Sequence, residues 1–124
     1  MNLVRFENFS KIFAVEDFSE EYIKLLKKSG SYETYMKKLK FNLNILENSK
    51  SIEVALLHKN IEKLNDVPNL YSIRNISGLN PRTLFCYALD DDIYILLNSF
   101  LEKSSSDYKN GIEKAKNIIN ELGL

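Results

Sequence analysis

Apolar residues recur every three or four positions in two neighbouring stretches near the start of the chain. The first stripe comprises Phe18, Tyr22, Leu25 and Leu26. Asp17 and Glu20 have the spacing of a capping box, and Gly30 is a typical helix end. The second stripe, in a stretch from Ser31 to about Glu47, comprises Tyr32, Met36, Leu39, Leu43 and Leu46. The pattern predicts two amphipathic helices that form an antiparallel hairpin.

The segments on either side of this hairpin have weaker patterns. Before it, the run from Lys11 to Val15 predicts a short strand. After it, Asn48 to Ser51 is a break, and the apolar positions between Ile52 and Leu64 allow a short helix. Asp66 to Asn69 has the composition of a turn.

From Leu70 onwards the chain becomes rich in β-branched and aromatic residues. Three runs have this character: Leu70 to Ile76, Thr83 to Leu89 and Ile93 to Phe100. Turn-forming residues link them, from Ser77 to Pro81 and from Asp90 to Asp92. Consecutive strands with short links predict an antiparallel meander.

A last amphipathic stretch follows the polar run Ser104 to Ser106, and Asp107 is its predicted cap. Its stripe comprises Tyr108, Ile112, Ala115, Ile119 and Leu122, and Gly111 weakens its start. We therefore predict one domain over residues 1–124 of the α+β class. The predicted fold is an N-terminal helical hairpin packed on an antiparallel β-meander sheet, with a C-terminal helix.

Composition narrows the range of functions. The chain has 124 residues, of which 44% are hydrophobic and 27% charged, so we expect it to fold. Lys plus Arg and Asp plus Glu each number 17, which argues against a strong, non-specific nucleic-acid binder. No apolar run approaches the roughly 20 residues of a membrane helix. Residues 1–11 do not resemble a signal peptide, and a single cysteine fits a reducing compartment. We expect a cytoplasmic protein.

The usual signatures of a catalytic or metal site are missing from the sequence. One histidine and one cysteine cannot supply the common zinc ligands. Asp90 to Asp92 could suggest a cation site, but three aspartates between two strands favour a solvated hairpin turn. His58 lacks an obvious carboxylate partner, and Cys86 lies mid-strand, so structural roles are favoured for both. The sequence therefore predicts no metal site and no cofactor.

Basic residues on or near the predicted sheet are the remaining candidates. Arg74 lies in the first meander strand, Arg82 opens the second, Lys103 follows the third, and Lys63 precedes the sheet. On an antiparallel sheet these positions can converge on one face, where paired guanidinium donors suit phosphate. The alternative is that each is a solvated surface charge.

These basic residues fall within segments that resemble a known family. The segments are Lys63-Leu64 with Leu70-Tyr71-Ser72-Ile73-Arg74, then Arg82 to Tyr87, and finally Ile95 to Lys103 followed by Ile112 to Lys116. In their order and spacing they resemble the RelE/HigB toxins of type II toxin–antitoxin systems, closest to the phage-associated HigB-like branch. The resemblance extends from about Glu20 to Leu122.

The resemblance implies a ribosome-dependent mRNA endonuclease, or mRNA interferase, in which a 2′-hydroxyl attacks the adjacent phosphate. It implies catalytic roles for Arg74, Arg82 and Lys103, which would stabilise the developing charge. It implies RNA binding by Lys63, Tyr108 and Lys109, with Tyr108 stacking on a base. The implied partners are the ribosome, mRNA and a cognate antitoxin, a small helix-turn-helix DNA-binding protein. No membrane or metal is implied.

The sequence also departs from this family in the same region. Glu102 and Ser106 stand where HigB-like members usually carry basic residues, and Ser72 replaces the glutamate of the central motif. These differences leave an alternative open. The chain could be a catalytically degenerate relative that binds a protein partner or acts as an inhibitor.

Overall fold

The fold is a six-stranded mixed sheet with four helices. A computed structural model of the chain describes residues 2–74, 78–79 and 81–124. In chain order the elements are β1 (Leu3–Arg5), β2 (Ile12–Val15), α1 (Phe18–Lys27), α2 (Tyr32–Asn48), α3 (Ile52–Ala55), β3 (Ile61–Leu64), β4 (Leu70–Arg74), β5 (Pro81–Ala88), β6 (Ile93–Leu101) and α4 (Ser105–Leu122). The predicted strand end at Ile76 lies outside the described residues, as does part of the predicted turn from Ser77 to Pro81.

The sheet is mixed because β2, from the start of the chain, pairs in parallel with β6, from near its end. Its strand order is β1-β2-β6-β5-β4-β3. β2 runs parallel to β6, with Ile12 opposite Tyr94, whereas every other neighbouring pair is antiparallel. β4, β5 and β6 form the antiparallel meander that the sequence predicts.

The predicted fold class is nevertheless wrong. Two strands precede the helices, so the helical hairpin does not begin the chain, and the sheet has six strands rather than the three of a meander. The predicted strand from Lys11 to Val15 is present as β2. Its parallel pairing with β6 makes the sheet mixed, and this long-range contact has no local signal in the sequence.

The segment between Ile52 and Leu64 divides into two elements. Only Ile52–Ala55 is helical, and Ile61–Leu64 forms edge strand β3 against β4. Ile61 and Leu64 are both buried and lie three residues apart, a spacing that suits a helix. Pairing with β4 overrides this local preference, as tertiary context often does in short apolar runs.

Both faces of the central sheet are covered. In β5 every residue from Pro81 to Cys86 is buried, and in β6 so is every residue from Tyr94 to Asn98. Alternate strand residues point to opposite faces, so consecutive burial requires packing on both. The buried residues of α1, α2 and α4 belong to the same core as those of the sheet.

Helix α4 is held against the sheet by close backbone contact. The Asn98 amide donates a hydrogen bond of 3.1 Å to the Gly111 carbonyl. A β-carbon at Gly111 would lie 2.2 Å from the Phe100 ring, so only glycine permits this approach. The glycine that weakens the helix by local propensity therefore allows α4 to pack on β6.

The helix caps differ in detail from the sequence prediction. Asp17 is the N-cap of α1, but its side chain makes no capping hydrogen bond. For α4 the cap is Ser104, not Asp107, and its hydroxyl accepts from the Asp107 amide at 3.3 Å. Asp107 in turn accepts from the Lys103 amide at 3.1 Å. The two side chains form a reciprocal cap, which fixes the chain between β6 and α4.

Glu47 ties the end of α2 to the start of β2. Its carboxylate accepts backbone hydrogen bonds from Ser10 at 2.6 Å and Lys11 at 2.7 Å, and a third from the Ser10 hydroxyl at 3.0 Å. Partial burial raises the pKa of this carboxyl, but the hydrogen bonds outweigh that effect and leave the pKa below its ordinary value.

Replacing Glu47 with glutamine should lower the free energy of unfolding by about 1.5 kcal/mol at pH 7. The carboxylate's contribution is present above the pKa of the unfolded state. It is lost as the pH falls through the lower pKa of the folded state. Urea unfolding at pH 7 and at about pH 3 should therefore show the difference from wild type shrinking on acidification. Glu113→Gln, on exposed α4 surface, is the control, and a difference that stays constant with pH would contradict the assignment.

Candidate functional site

The strand register places two of the predicted arginines side by side. Arg74 on β4 lies opposite Arg82 on β5, and Arg82 lies opposite Phe100 on β6. All three side chains belong to the same face of the sheet, the face on which α4 packs through Gly111. Glu102 and Lys103 follow directly after β6 at this end of the sheet.

Arg82 is buried and contacts side chains from three other segments of the chain. It is 3% exposed. Its Nε and Nη2 atoms both lie 2.7 Å from Oε1 of Glu102. Its Nη1 atom donates to Glu62 at 2.8 Å and to the Ser72 hydroxyl at 3.4 Å. The guanidinium thus joins β3, β4, β5 and the segment after β6.

Tyr108 covers this buried arginine. The Arg82 guanidinium carbon lies 5.1 Å from the centre of the Tyr108 ring, a cation–π distance. The phenol donates a hydrogen bond of 2.9 Å to Asp66 in the β3–β4 turn. Burial and this hydrogen bond raise the pKa of Tyr108 above its ordinary value. The first turn of α4 is thereby fixed over the sheet.

The carboxylates of Glu62 and Glu102 offset the repulsion between the two neighbouring arginines. Cations directly opposite one another on neighbouring strands repel, and Arg74 and Arg82 form such a pair. Glu62 and Glu102 supply two negative charges to Arg82 alone. The result is a buried arginine whose charge is more than balanced. Each of the three guanidinium nitrogens of Arg82 therefore already contacts a side chain in the described part of the protein.

Arg74 is in the opposite situation. It is half-buried, and its Nε atom is buried without a hydrogen-bond partner in the described part of the chain. It lines an open groove of about 580 Å³, whose lining residues are Arg74, Glu102, Lys103, Ser104, Ser105 and Tyr108. Because an unpaired buried donor is costly, the described part of the chain holds Arg74 less firmly than it holds Arg82.

The other predicted residues lie elsewhere. Lys63 on β3 is opposite Tyr71, so it points to the face away from the groove. Lys109 is exposed on α4 and is not among the described residues that line the groove. His58 is exposed before β3, and Cys86 is buried in β5, where burial raises the pKa of its thiol to about 12. The groove therefore brings together Arg74, Lys103 and Tyr108 from the predicted set.

Glu62, Ser72 and Asp66 are the residues that sequence reasoning did not assign to the site. Glu62 stands beside Lys63, and strand alternation allows only one of them to face the arginines. The strand register places Glu62 opposite Ser72, so Glu62 is the residue on the same face as the arginines. The sequence does not predict a strand here, so it gives no indication that Glu62 faces the arginines. At Asp66 it predicts only a turn.

Comparison of the chain with models of protein families, with curated proteins and with solved structures finds no match. Among the described residues, no helix is both long enough and apolar enough to cross a membrane. The same residues contain no group of three or more His, Cys, Asp or Glu side chains that could hold a metal ion.

Proposed function

We propose that this protein is a toxin similar to RelE and HigB, which cleaves mRNA on the ribosome and is neutralised by a cognate antitoxin. The observation that carries the proposal is the groove. It unites Arg74, Lys103 and Tyr108, three of the residues to which the family resemblance assigns contact with RNA. A cationic groove beside an aromatic side chain suits a single strand of RNA.

The proposed chemistry requires only positioning and charge stabilisation from the protein. The 2′-hydroxyl gives up its proton to water as its oxygen bonds to phosphorus. The bond from phosphorus to the 5′-oxygen breaks, and the 5′-oxygen takes a proton from water. Negative charge grows on the non-bridging oxygens in between. Arg74 would bind these oxygens through paired donors, and Lys103 would add a second positive charge. Both residues line the groove in which the phosphate would lie.

Arg82 has a different role in this proposal from the one expected from sequence. Each of its nitrogens already contacts Glu62, Glu102 or Ser72, so in this proposal Arg82 holds those side chains rather than the phosphate. It positions Glu102 and the Tyr108 ring, which are both part of the groove wall. We therefore assign it a positioning role.

Induced expression in a bacterial host tests the proposed function. Growth should stop within a few generations, and new 5′ ends should appear within translated messages but not in untranslated RNA. Co-expression of an antitoxin, if one is encoded beside the chain, should restore growth. Normal growth with intact mRNA, in cells where the folded protein accumulates, would contradict the proposal.

A second candidate function is favoured by one observation. The carboxylates of Glu62 and Glu102 neutralise Arg82, and the chain has no net charge. This suits a relative that has lost cleavage and binds a protein partner. In the same experiment such a protein would leave mRNA intact. It would also form a stable complex with a protein partner during purification.

A further inference from the structure

Glu102 contacts the buried Arg82 and also lines the groove. Its Oε1 atom accepts from two nitrogens of Arg82, both at 2.7 Å. The side chain is nevertheless 22% exposed, and it lines the groove with Arg74 and Lys103. Its negative charge therefore faces both the buried arginine and any ligand in the groove.

The charges that line the groove leave it only weakly positive. Arg74 and Lys103 contribute two positive charges, and Glu102 contributes one negative charge. Affinity for a nucleic-acid backbone comes largely from the number of phosphates that a protein neutralises. One net charge is too small for strong binding to RNA in solution. A ligand that is already held in place needs much less affinity from the groove.

We propose that Glu102 is a specificity-determining residue that suppresses binding to free RNA. The inference rests on the proposed function, because it takes single-stranded RNA as the ligand. The carboxylate keeps the groove weakly charged, so free RNA does not occupy it. RNA presented by a larger assembly can still be engaged through Arg74. Glu62 also pairs with Arg82 but does not line the groove within the described residues, so it should lack this effect.

The test compares the affinity of purified full-length variants for a labelled 12-nucleotide poly-uridine strand, by fluorescence anisotropy. Glu102→Gln keeps an oxygen that accepts from Arg82 and removes the charge. It should bind about tenfold more tightly than wild type at low salt. The slope of log affinity against log salt should steepen by about 0.7. Glu62→Gln and the exposed control Glu113→Gln should change affinity by less than about twofold.

A second variant, Ser105→Lys, tests the inference even if Glu102→Gln does not fold. It adds one positive charge to the groove on an exposed position and leaves Glu102 unchanged. A similar gain is expected. Equal affinities for wild type, Glu102→Gln and Ser105→Lys would overturn the inference. So would an equal gain for Glu113→Gln, since net charge alone would then explain the effect.

The two proposals fail in different experiments. If the wild-type chain stops growth but Glu102→Gln binds RNA no more tightly than wild type, the inference is contradicted and the proposed function is supported. A gain in RNA affinity for Glu102→Gln with intact mRNA in expressing cells would support the inference and remove the proposed nuclease activity.

Discussion

Under the proposed function, replacing Arg74 with alanine should abolish growth arrest and slow mRNA cleavage by at least about 100-fold. Arg74 is the one groove residue whose side chain carries a buried polar atom without a partner among the described residues. Its loss removes the donors that would stabilise charge on the phosphate. The fold should tolerate the change, with a free energy of unfolding within about 1 kcal/mol of wild type. Removing the cation opposite Arg82 also relieves repulsion between the two.

Two further variants make this prediction specific. Arg74→Lys keeps the charge but loses the planar, paired donors, so its cleavage rate should fall between wild type and alanine. Lys116→Ala, on exposed α4 surface, removes a charge away from the groove and should keep full activity. The measurements are growth after induction, mapped mRNA 5′ ends and the thermal unfolding midpoint. Full toxicity in a folded Arg74→Ala protein would count against the groove as the site of cleavage.

Replacing Arg82 with methionine should lower the free energy of unfolding by about 3 kcal/mol, a large part of the stability of a typical domain. Methionine fills much of the same space, so the loss comes from the charges. Glu62 and Glu102 would then face each other without the cation that joins them. The Tyr108 ring would also lose its cation–π contact. We expect a fall of about 10 °C in the unfolding midpoint.

A combined variant separates charge from packing. Adding Glu62→Gln and Glu102→Gln to Arg82→Met removes the two uncompensated carboxylates and should recover about half of the lost stability. Urea unfolding of the single and triple variants measures this coupling. A single Arg82→Met variant as stable as wild type would show that the guanidinium is not held by these carboxylates in solution.

Local patterns in the sequence were sufficient for the long elements. The apolar stripes of α1, α2 and α4 and the three strands of the meander are present close to where the sequence places them. Each of these elements buries a face whose period is set by its own backbone, so the signal lies within a single segment. The sequence also indicates Arg74 and Lys103 as cations on or near the sheet, and the resemblance adds Tyr108. All three line one groove.

Only the tertiary structure decided the sheet and the state of the arginines. The parallel pairing of β2 with β6 and the strand character of β3 depend on residues far apart in the chain. The same is true of Arg82, whose partners Glu62 and Glu102 each lie 20 residues away. Sequence identifies a cation, but whether it binds a ligand or a carboxylate of its own chain depends on register. Strand register places Arg82 within reach of Glu62 and Ser72, while the neighbouring Arg74 lines the groove.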